Sequence, residues 1–270
     1  MIRVQVPSLP LRPFVQNYAH TEVDLRAAVV FWPIPARTFA CLEFTFGVPY
    51  EIHDLSKPVA QPTFATALIG AKTHRQISLE LNGHVETFVI LLQPSGLQQL
   101  FGVPEAEIVD THYDAHGVIG AAMSDLREQL GEADSFTARV RIADEYLLRR
   151  LTNTSSPGIP LRVAQAIVAS QGCVRVGNLA AQTGLSLRHF ERVFSRQLGI
   201  TPKMYARIAR FETAVRLRSQ SRANTWARIA QDLVLTALKS FEWTTAGPFV
   251  VLGLVSDFVG STSMRSSGLP

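Results

Sequence analysis

The chain has 270 residues, of which 47% are hydrophobic and 18% charged, a composition typical of a folded globular protein and not of a disordered one. No apolar run approaches the roughly 20 residues of a membrane helix. The N-terminal residues do not combine a basic start with an apolar stretch, so we expect a cytosolic protein without a signal peptide. Two cysteines, Cys41 and Cys173, are too few for a disulfide framework or a four-thiolate zinc site.

Charge is divided unevenly along the chain. Residues 1–154 contain 12 Lys and Arg against 17 Asp and Glu, a net charge of −5, whereas residues 155–270 contain 14 against 5, a net charge of +9. A concentrated basic segment indicates a polyanionic partner, although a solvated basic surface has the same composition. The polar stretch 153–160, which contains Pro and Gly, predicts a linker between the two halves.

The first half is rich in Val, Ile, Phe and Thr up to about Pro94. Its short apolar runs predict strands at residues 27–32, 38–46, 63–70, 76–81 and 86–93. The Asn82-Gly83 pair between the last two runs predicts a hairpin. Closely spaced strands of this kind predict a small antiparallel barrel or sandwich. Four aromatic residues are interpreted mainly as packed core, with the lining of a ligand cavity as the alternative: Phe44, Phe46, Phe64 and Phe88.

Beyond Pro94 the apolar spacing changes to that of helices, which we predict at residues 95–102, 118–130 and 135–151. The last of these carries a single apolar stripe, formed by Phe136, Val140, Ala143, Leu147 and Leu151. The stripe predicts packing of this helix on the strands or, alternatively, a homodimer seam.

The second half has a helical pattern from Pro160 to about residue 233, and residues 176–202 are its most informative part. Gly184 can adopt the positive φ that a sharp turn needs, and Ser186 can cap the helix that follows. Phe190 would pack against Leu185 as a hydrophobic staple. A helix, a glycine turn and a second helix with a polar, basic outer face are typical of a helix-turn-helix unit, whose second helix enters the major groove.

A longer segment resembles the DNA-binding domain of AraC/XylS-type bacterial transcription regulators; it reads LAAQTGLSLRHFERVFSRQLGITPKMYARIARFETAVRL at residues 179–217. The first half resembles the sensor domain of some of these regulators, through LRPF at 11–14 and LFGVP at 100–104. The resemblance implies an α+β protein. Its predicted parts are an antiparallel β sensing and dimerisation domain at 1–152, a linker at 153–160, an all-α helix-turn-helix domain at 161–243 and an irregular tail at 244–270.

The resemblance also implies partners and site residues. Double-stranded DNA, a small-molecule effector, RNA polymerase and a second copy of the chain are the implied partners. Arg188, Glu191 and Arg192 match the positions at which the family meets base edges, since arginine pairs with guanine and glutamate accepts from cytosine. The residues implied to contact phosphate are Ser186, Arg196, Arg207 and Arg210, with bracing of two helix-turn-helix units as the alternative for the last two.

The family uses two such units joined by a long helix, which we predict at residues 202–219. The start of the first unit, at Val176, is echoed at Trp226, but Val234 and Ser240 stand where the turn glycine and the buried aromatic residue are expected. We therefore predict that the chain beyond Val234 is a decayed copy or a shifted reading frame and forms no second recognition helix.

We predict no enzymatic activity, cofactor or metal site. His112 and His116 have a suitable spacing for a metal but lie in a turn-like stretch, and Cys41 lies between apolar neighbours as a core residue does. The alternative is an enzyme or small-molecule carrier whose helical part is only scaffold. No paired carboxylates, Ser/His/Asp set or phosphate-binding glycine loop in the sequence supports it.

Overall fold

The computed structural model describes residues 1–55, 57–74, 77–94, 96–151 and 158–220, together with Arg228. Within these ranges strands dominate up to Leu92 and helices follow, as the α+β prediction requires. Most of the predicted linker, the predicted helix at 225–233 except Arg228, and the predicted degenerate end beyond Val234 lie outside the described residues.

Two antiparallel sheets form the N-terminal part. The described strands are β1 (Ile2–Gln5), β2 (Val15–Asp24), β3 (Val30–Ile34), β4 (Cys41–Thr45), β5 (Glu51–Asp54), β6 (Gln61–Pro62), β7 (Thr66–Ile69), β8 (Ile77–Leu81), β9 (His84–Leu92) and β10 (His112–Asp114). One sheet has the order β1-β2-β9-β4-β7-β10 and the other the order β3-β8-β5-β6. Among these strands neither sheet closes on itself, so the antiparallel prediction is confirmed but its barrel form is not.

The Asn82-Gly83 turn joins the two sheets instead of forming a hairpin. Gly83 has the positive φ of +58° that such a turn needs. However, β8 before the turn pairs with β3 and β5, whereas β9 after it pairs with β2 and β4. The predicted hairpin is therefore wrong. The partner of β9 is instead the long strand β2, which pairs with β9 along its whole length. The sequence pattern did not reveal β2.

Eight helices are described. They are α1 (Gly96–Phe101), α2 (Ala115–Ile119), α3 (Ala122–Glu132), α4 (Phe136–Arg150), α5 (Ile159–Ala169), α6 (Val176–Gln182), α7 (Leu187–Leu198) and α8 (Pro202–Gln220). The helix predicted at 118–130 is divided into α2 and α3 at Gly120, whose φ of +111° cannot continue a helix. Ser135 caps α4 by accepting a hydrogen bond from the Ala138 amide at 3.2 Å.

The apolar stripe of α4 packs on the six-stranded sheet. Val140, Ala143 and Leu147 are buried in one core cluster with Phe44 and Phe88. The prediction that the stripe packs on the strands is confirmed, and a homodimer seam on it is wrong because the face is already covered within the chain. The same cluster confirms the packed-core interpretation of Phe44 and Phe88, and Cys41 is likewise a buried core residue.

The helical part has a core of its own, built from the apolar faces of α5, α6, α7 and α8. Ala36, from the loop between β3 and β4, belongs to that same cluster. The two parts of the chain therefore share a packed boundary. No described helix is both long and apolar enough to cross a bilayer.

Candidate nucleic-acid interface

The helix-turn-helix geometry follows from residues within a few positions of the turn. Gly184 has φ +71° and lies between α6 and α7, where that backbone conformation is easy only for glycine. Ser186 then caps α7, because its side chain accepts a hydrogen bond from the His189 amide at 3.3 Å. Leu185 and Phe190 belong to the same apolar cluster, as the predicted staple requires.

Aromatic packing fixes the orientation of α7. Phe190 and Phe194 are fully buried, with ring centroids 5.7 Å apart. Phe194 also meets the ring of Tyr205, on α8, edge to face at 5.6 Å. Aromatic pairs prefer particular ring geometries in addition to burying apolar surface. These contacts therefore favour one rotation of α7 about its own axis.

The outward face of α7 is polar and basic. Arg188, Glu191 and Arg192 are exposed, and their spacing of three and four residues places them on one side of the helix. Ser186 and Arg196 are also exposed, at the beginning and in the last turn of α7. Within the described part of the chain, no ion pair occupies Arg188 or Arg192. Among the described residues, both guanidinium groups are therefore exposed and without an ion-pair partner.

The two arginines of α8 differ in their surroundings. Arg207 is exposed, whereas Arg210 is half-buried and its Nη1 donates to the backbone oxygen of Gly172 at 2.7 Å. The backbone at Gly172 lies so close to α8 that a Cβ there would be 2.3 Å from the Ala206 oxygen. Arg210 therefore braces the turn after α5 onto α8 within one unit, whereas its predicted contact with phosphate or between two units stays a prediction.

A family model describes the same segment. Residues 169–205, which include α6, the turn and α7, match the model of bacterial regulatory helix-turn-helix proteins of the AraC family. The match covers the helix-turn-helix segment alone. It marks this segment as an AraC-type DNA-binding helix-turn-helix, which follows the antiparallel β N-terminal part.

Further comparisons of the chain give weaker likenesses. Residues 3–114 match a domain of unknown function, DUF6597. ToxT from Vibrio cholerae is 8% identical, covering 80% of this chain and 88% of that one, with a TM-score of 0.43. An apo ToxT variant from strain SCE256 is 11% identical, covering 80% and 87%, with a TM-score of 0.47. The AraC-like transcriptional activator CuxR is 13% identical, covering 84% and 91%, with a TM-score of 0.26. No curated protein sequence matches.

A polar contact joins the N-terminal part of the chain to α8. The Thr38 amide and hydroxyl donate to the two carboxylate oxygens of Glu212 at 3.1 and 2.7 Å, and the Tyr205 hydroxyl donates to the Thr38 oxygen at 3.4 Å. Burial raises the pKa of Glu212 to about 7. Sequence patterns did not reveal this contact, because its partners are far apart along the chain.

A cavity of about 50 Å³ lies between the two sheets. Its surface is mainly apolar, and six of the residues that line it carry polar groups: Arg37, Glu43, Tyr50, Lys72, Thr87 and His112. Arg37 and Lys72 face one another across an isolated β-bridge, with backbone hydrogen bonds of 2.8 and 2.9 Å. None of the aromatic residues proposed from sequence lines it, and the sequence offered no local signal for the residues that do.

One group of described side chains has the composition of a metal site. Glu51, His53 and Glu80 offer ligand atoms within 4.8 Å of one another, and His53 Nε2 lies 2.7 Å from Glu80 Oε2. The register of β5 and β8 places Glu51 directly opposite Glu80, which the sequence alone could not show. The group contains one histidine and two carboxylates, with one short contact between His53 and Glu80.

Proposed function

We propose that the chain reads specific DNA sequences with α7 and that a small molecule bound in its N-terminal part controls this activity. The observation that carries the first statement is the division of α7 into a buried aromatic face and an exposed face bearing Arg188, Glu191 and Arg192. A helix anchored on one side and open on the other can enter the major groove without disturbing its own core.

Each exposed residue then has a distinct role. Arg188 and Arg192 donate paired hydrogen bonds to guanine, and Glu191 accepts from the cytosine amino group. Ser186, at the helix N-terminus, together with Arg196 and Arg207, contacts phosphate and positions the helix without reading sequence. The half-buried Arg210 is engaged within the protein by its bond to the Gly172 backbone oxygen.

The second statement is supported by the cavity between the sheets. It combines an apolar wall with a few polar groups, which is the usual make-up of a small-molecule site. A regulator of this kind acts on bacterial DNA in the cytoplasm, as a dimer and together with RNA polymerase. The dimer surface lies elsewhere than on the buried stripe of α4.

The decisive experiment is a gel-shift assay with the full chain on a duplex selected from random sequences. Replacement of both Arg188 and Arg192 by alanine should abolish the preference for the selected duplex over a scrambled one. A variant in which Arg141, an exposed arginine of α4, is replaced by alanine loses the same kind of charge far from α7 and should retain that preference. Equal preference in the double variant and the wild type would contradict the assignment of α7.

A further inference from the structure

We infer that Glu51, His53 and Glu80 bind one divalent transition-metal ion, such as Zn²⁺, on the outer face of the four-stranded sheet. The ion joins β5 to β8 and stabilises their pairing. This site is separate from the cavity between the sheets, and it does not depend on the proposed DNA binding.

The alternation of the two strands places the three side chains on the outer face. In β5, Ile52 is buried and lines the cavity, whereas Glu51 and His53 on either side of it are exposed and half-buried. In β8, Leu79 lines the cavity, and Glu80 follows it. Successive side chains of a strand lie on opposite faces of the sheet, so all three candidate ligands lie away from the cavity.

Strand register brings the three ligand atoms together. Glu51 lies directly opposite Glu80, and His53, two residues further along β5, lies diagonally across from Glu80. His53 Nε2 is 2.7 Å from Glu80 Oε2, and the three ligand atoms all lie within 4.8 Å of one another. For bonds of ~2 Å, the donors around a tetrahedral zinc ion are ~3.3 Å apart. The observed separations bracket that value, so modest side-chain rotation brings all three donors onto one ion.

The charges at this place favour a cation. Like charges directly opposite one another destabilise an antiparallel pair, and Glu51 and Glu80 are such a pair. Among the described ion pairs, Glu80 meets only His53, and none includes Glu51. A divalent ion removes this repulsion, because two carboxylates balance its two charges and a neutral imidazole is the third ligand.

The donor set limits the kind of metal. Mg²⁺ and Ca²⁺ prefer sites made of oxygen alone, whereas an imidazole nitrogen suits zinc and its neighbours among the transition metals. Zinc sites with three protein ligands keep a fourth position for water. The side chains of His53 and Glu80 are 37% and 25% exposed, so both the ion and that water can reach the site from solvent.

An aromatic residue orients the histidine. Phe31, on β3, packs edge to face against the His53 ring with centroids 5.5 Å apart. The register of β3 and β8 places Phe31 directly opposite Glu80, on the same face as the candidate ligands. This contact restricts the rotation of the imidazole before a metal binds, and a ligand that is already oriented loses less entropy on binding.

Isothermal titration calorimetry of the full chain with ZnCl₂ and MgCl₂ tests the inference. Zn²⁺ should bind at least about tenfold more tightly than Mg²⁺, and Glu51→Gln and His53→Ala should each weaken Zn²⁺ binding by about tenfold or more. His84→Ala is the matched control, because His84 is also an exposed strand histidine but is 3.7 Å from a single carboxylate, that of Glu22. This control should keep the wild-type affinity. Zn²⁺ should raise the melting temperature of the wild type and not that of Glu51→Gln.

Absence of Zn²⁺ binding to the wild type, or equally tight binding of Mg²⁺, would overturn the inference. Unchanged Zn²⁺ affinity in Glu51→Gln or in His53→Ala would also overturn it. A loss in His84→Ala as large as that in His53→Ala would show general binding to surface histidines, which equally rejects the site. All three substitutions lie at the surface and should leave the circular dichroism spectrum unchanged. The gel-shift test of α7 is independent of every one of these results.

Discussion

Thr38 and Glu212 bind each other across the boundary between the sheets and the DNA-binding helices. The amide and hydroxyl of Thr38 donate to separate carboxylate oxygens of Glu212 at 3.1 and 2.7 Å. Glu212 lies on α8, the same helix that supports α7 through Tyr205. A side chain on the long helix is thereby tied to the loop that borders the inter-sheet cavity.

This contact should make the stability of the docked arrangement depend on pH. Burial raises the Glu212 pKa to about 7, outweighing the opposite effects of the Thr38 hydrogen bonds and of the Arg37 charge. Because the folded pKa lies above the ordinary value of roughly 4.3, the contribution is complete below that value and is lost as pH rises through about 7. We expect the free energy of unfolding to fall by roughly 1 kcal/mol between about pH 6 and about pH 8.

Urea unfolding at the two pH values measures this difference. Glu212→Gln cannot titrate and should lose this part of the pH dependence, whereas Glu145→Gln, at an exposed position on α4, should retain it. The same fall in the Glu212→Gln variant as in the wild type would show that other groups cause it.

DNA affinity should separate base-reading residues from phosphate contacts. Arg192→Ala should cost about 1–3 kcal/mol on the preferred duplex and relax the preference at one base pair. Arg196→Ala should weaken binding to all duplexes alike and reduce the slope of log K against log salt by about one. Fluorescence anisotropy at several salt concentrations measures both quantities. Identical losses on preferred and random duplexes for Arg192→Ala would remove it from the base-reading role.

The two glycines that flank α7 should respond differently to alanine. Both have φ +71°, but a Cβ at Gly184 would meet nothing within 4 Å, whereas at Gly199 it would lie 2.7 Å from Val109 Cγ2 and 2.9 Å from Ala106 Cα. Gly184→Ala should cost about 1 kcal/mol of backbone strain. Gly199→Ala adds a clash with the N-terminal part and should destabilise further. Thermal unfolding measures both, and an equal loss for the two variants would contradict the docked position of Gly199.

Leu147 and Leu148 provide a matched test of the packing of α4. Leu147 is fully buried against the sheet, whereas Leu148 is 37% exposed. Leu147→Asp loses a core side chain and buries a carboxylate, so we expect at least about 3 kcal/mol of destabilisation and a clear loss of folded protein. Leu148→Asp should change the melting temperature little. If the wild type is a dimer by light scattering, a Leu147→Asp variant that is monomeric but still folded by circular dichroism would contradict this packing and support the dimer seam.

Local signals were enough to predict the helix-turn-helix unit from the sequence. Gly184, Ser186 and Phe190 act within a few residues of the turn. Helix α7 begins directly after its predicted cap, Ser186, and α8 begins and ends within one residue of its predicted bounds. A helix cap or a positive φ depends on adjacent backbone, so the sequence carries that information directly. Which residues of a helix share one face also depends only on their spacing, so the exposed residues of α7 could be named from the sequence.

Strand pairing and the cavity were decided by tertiary structure. The Asn82-Gly83 pair predicted a hairpin, but β8 and β9 entered different sheets, because strand pairing depends on partners that are distant in sequence. Arg37 meets Lys72, and Thr38 meets Glu212, only after the sheets and helices have packed. No periodicity in the chain encodes such contacts, since their energy comes from burial and hydrogen bonding between segments that are distant in sequence.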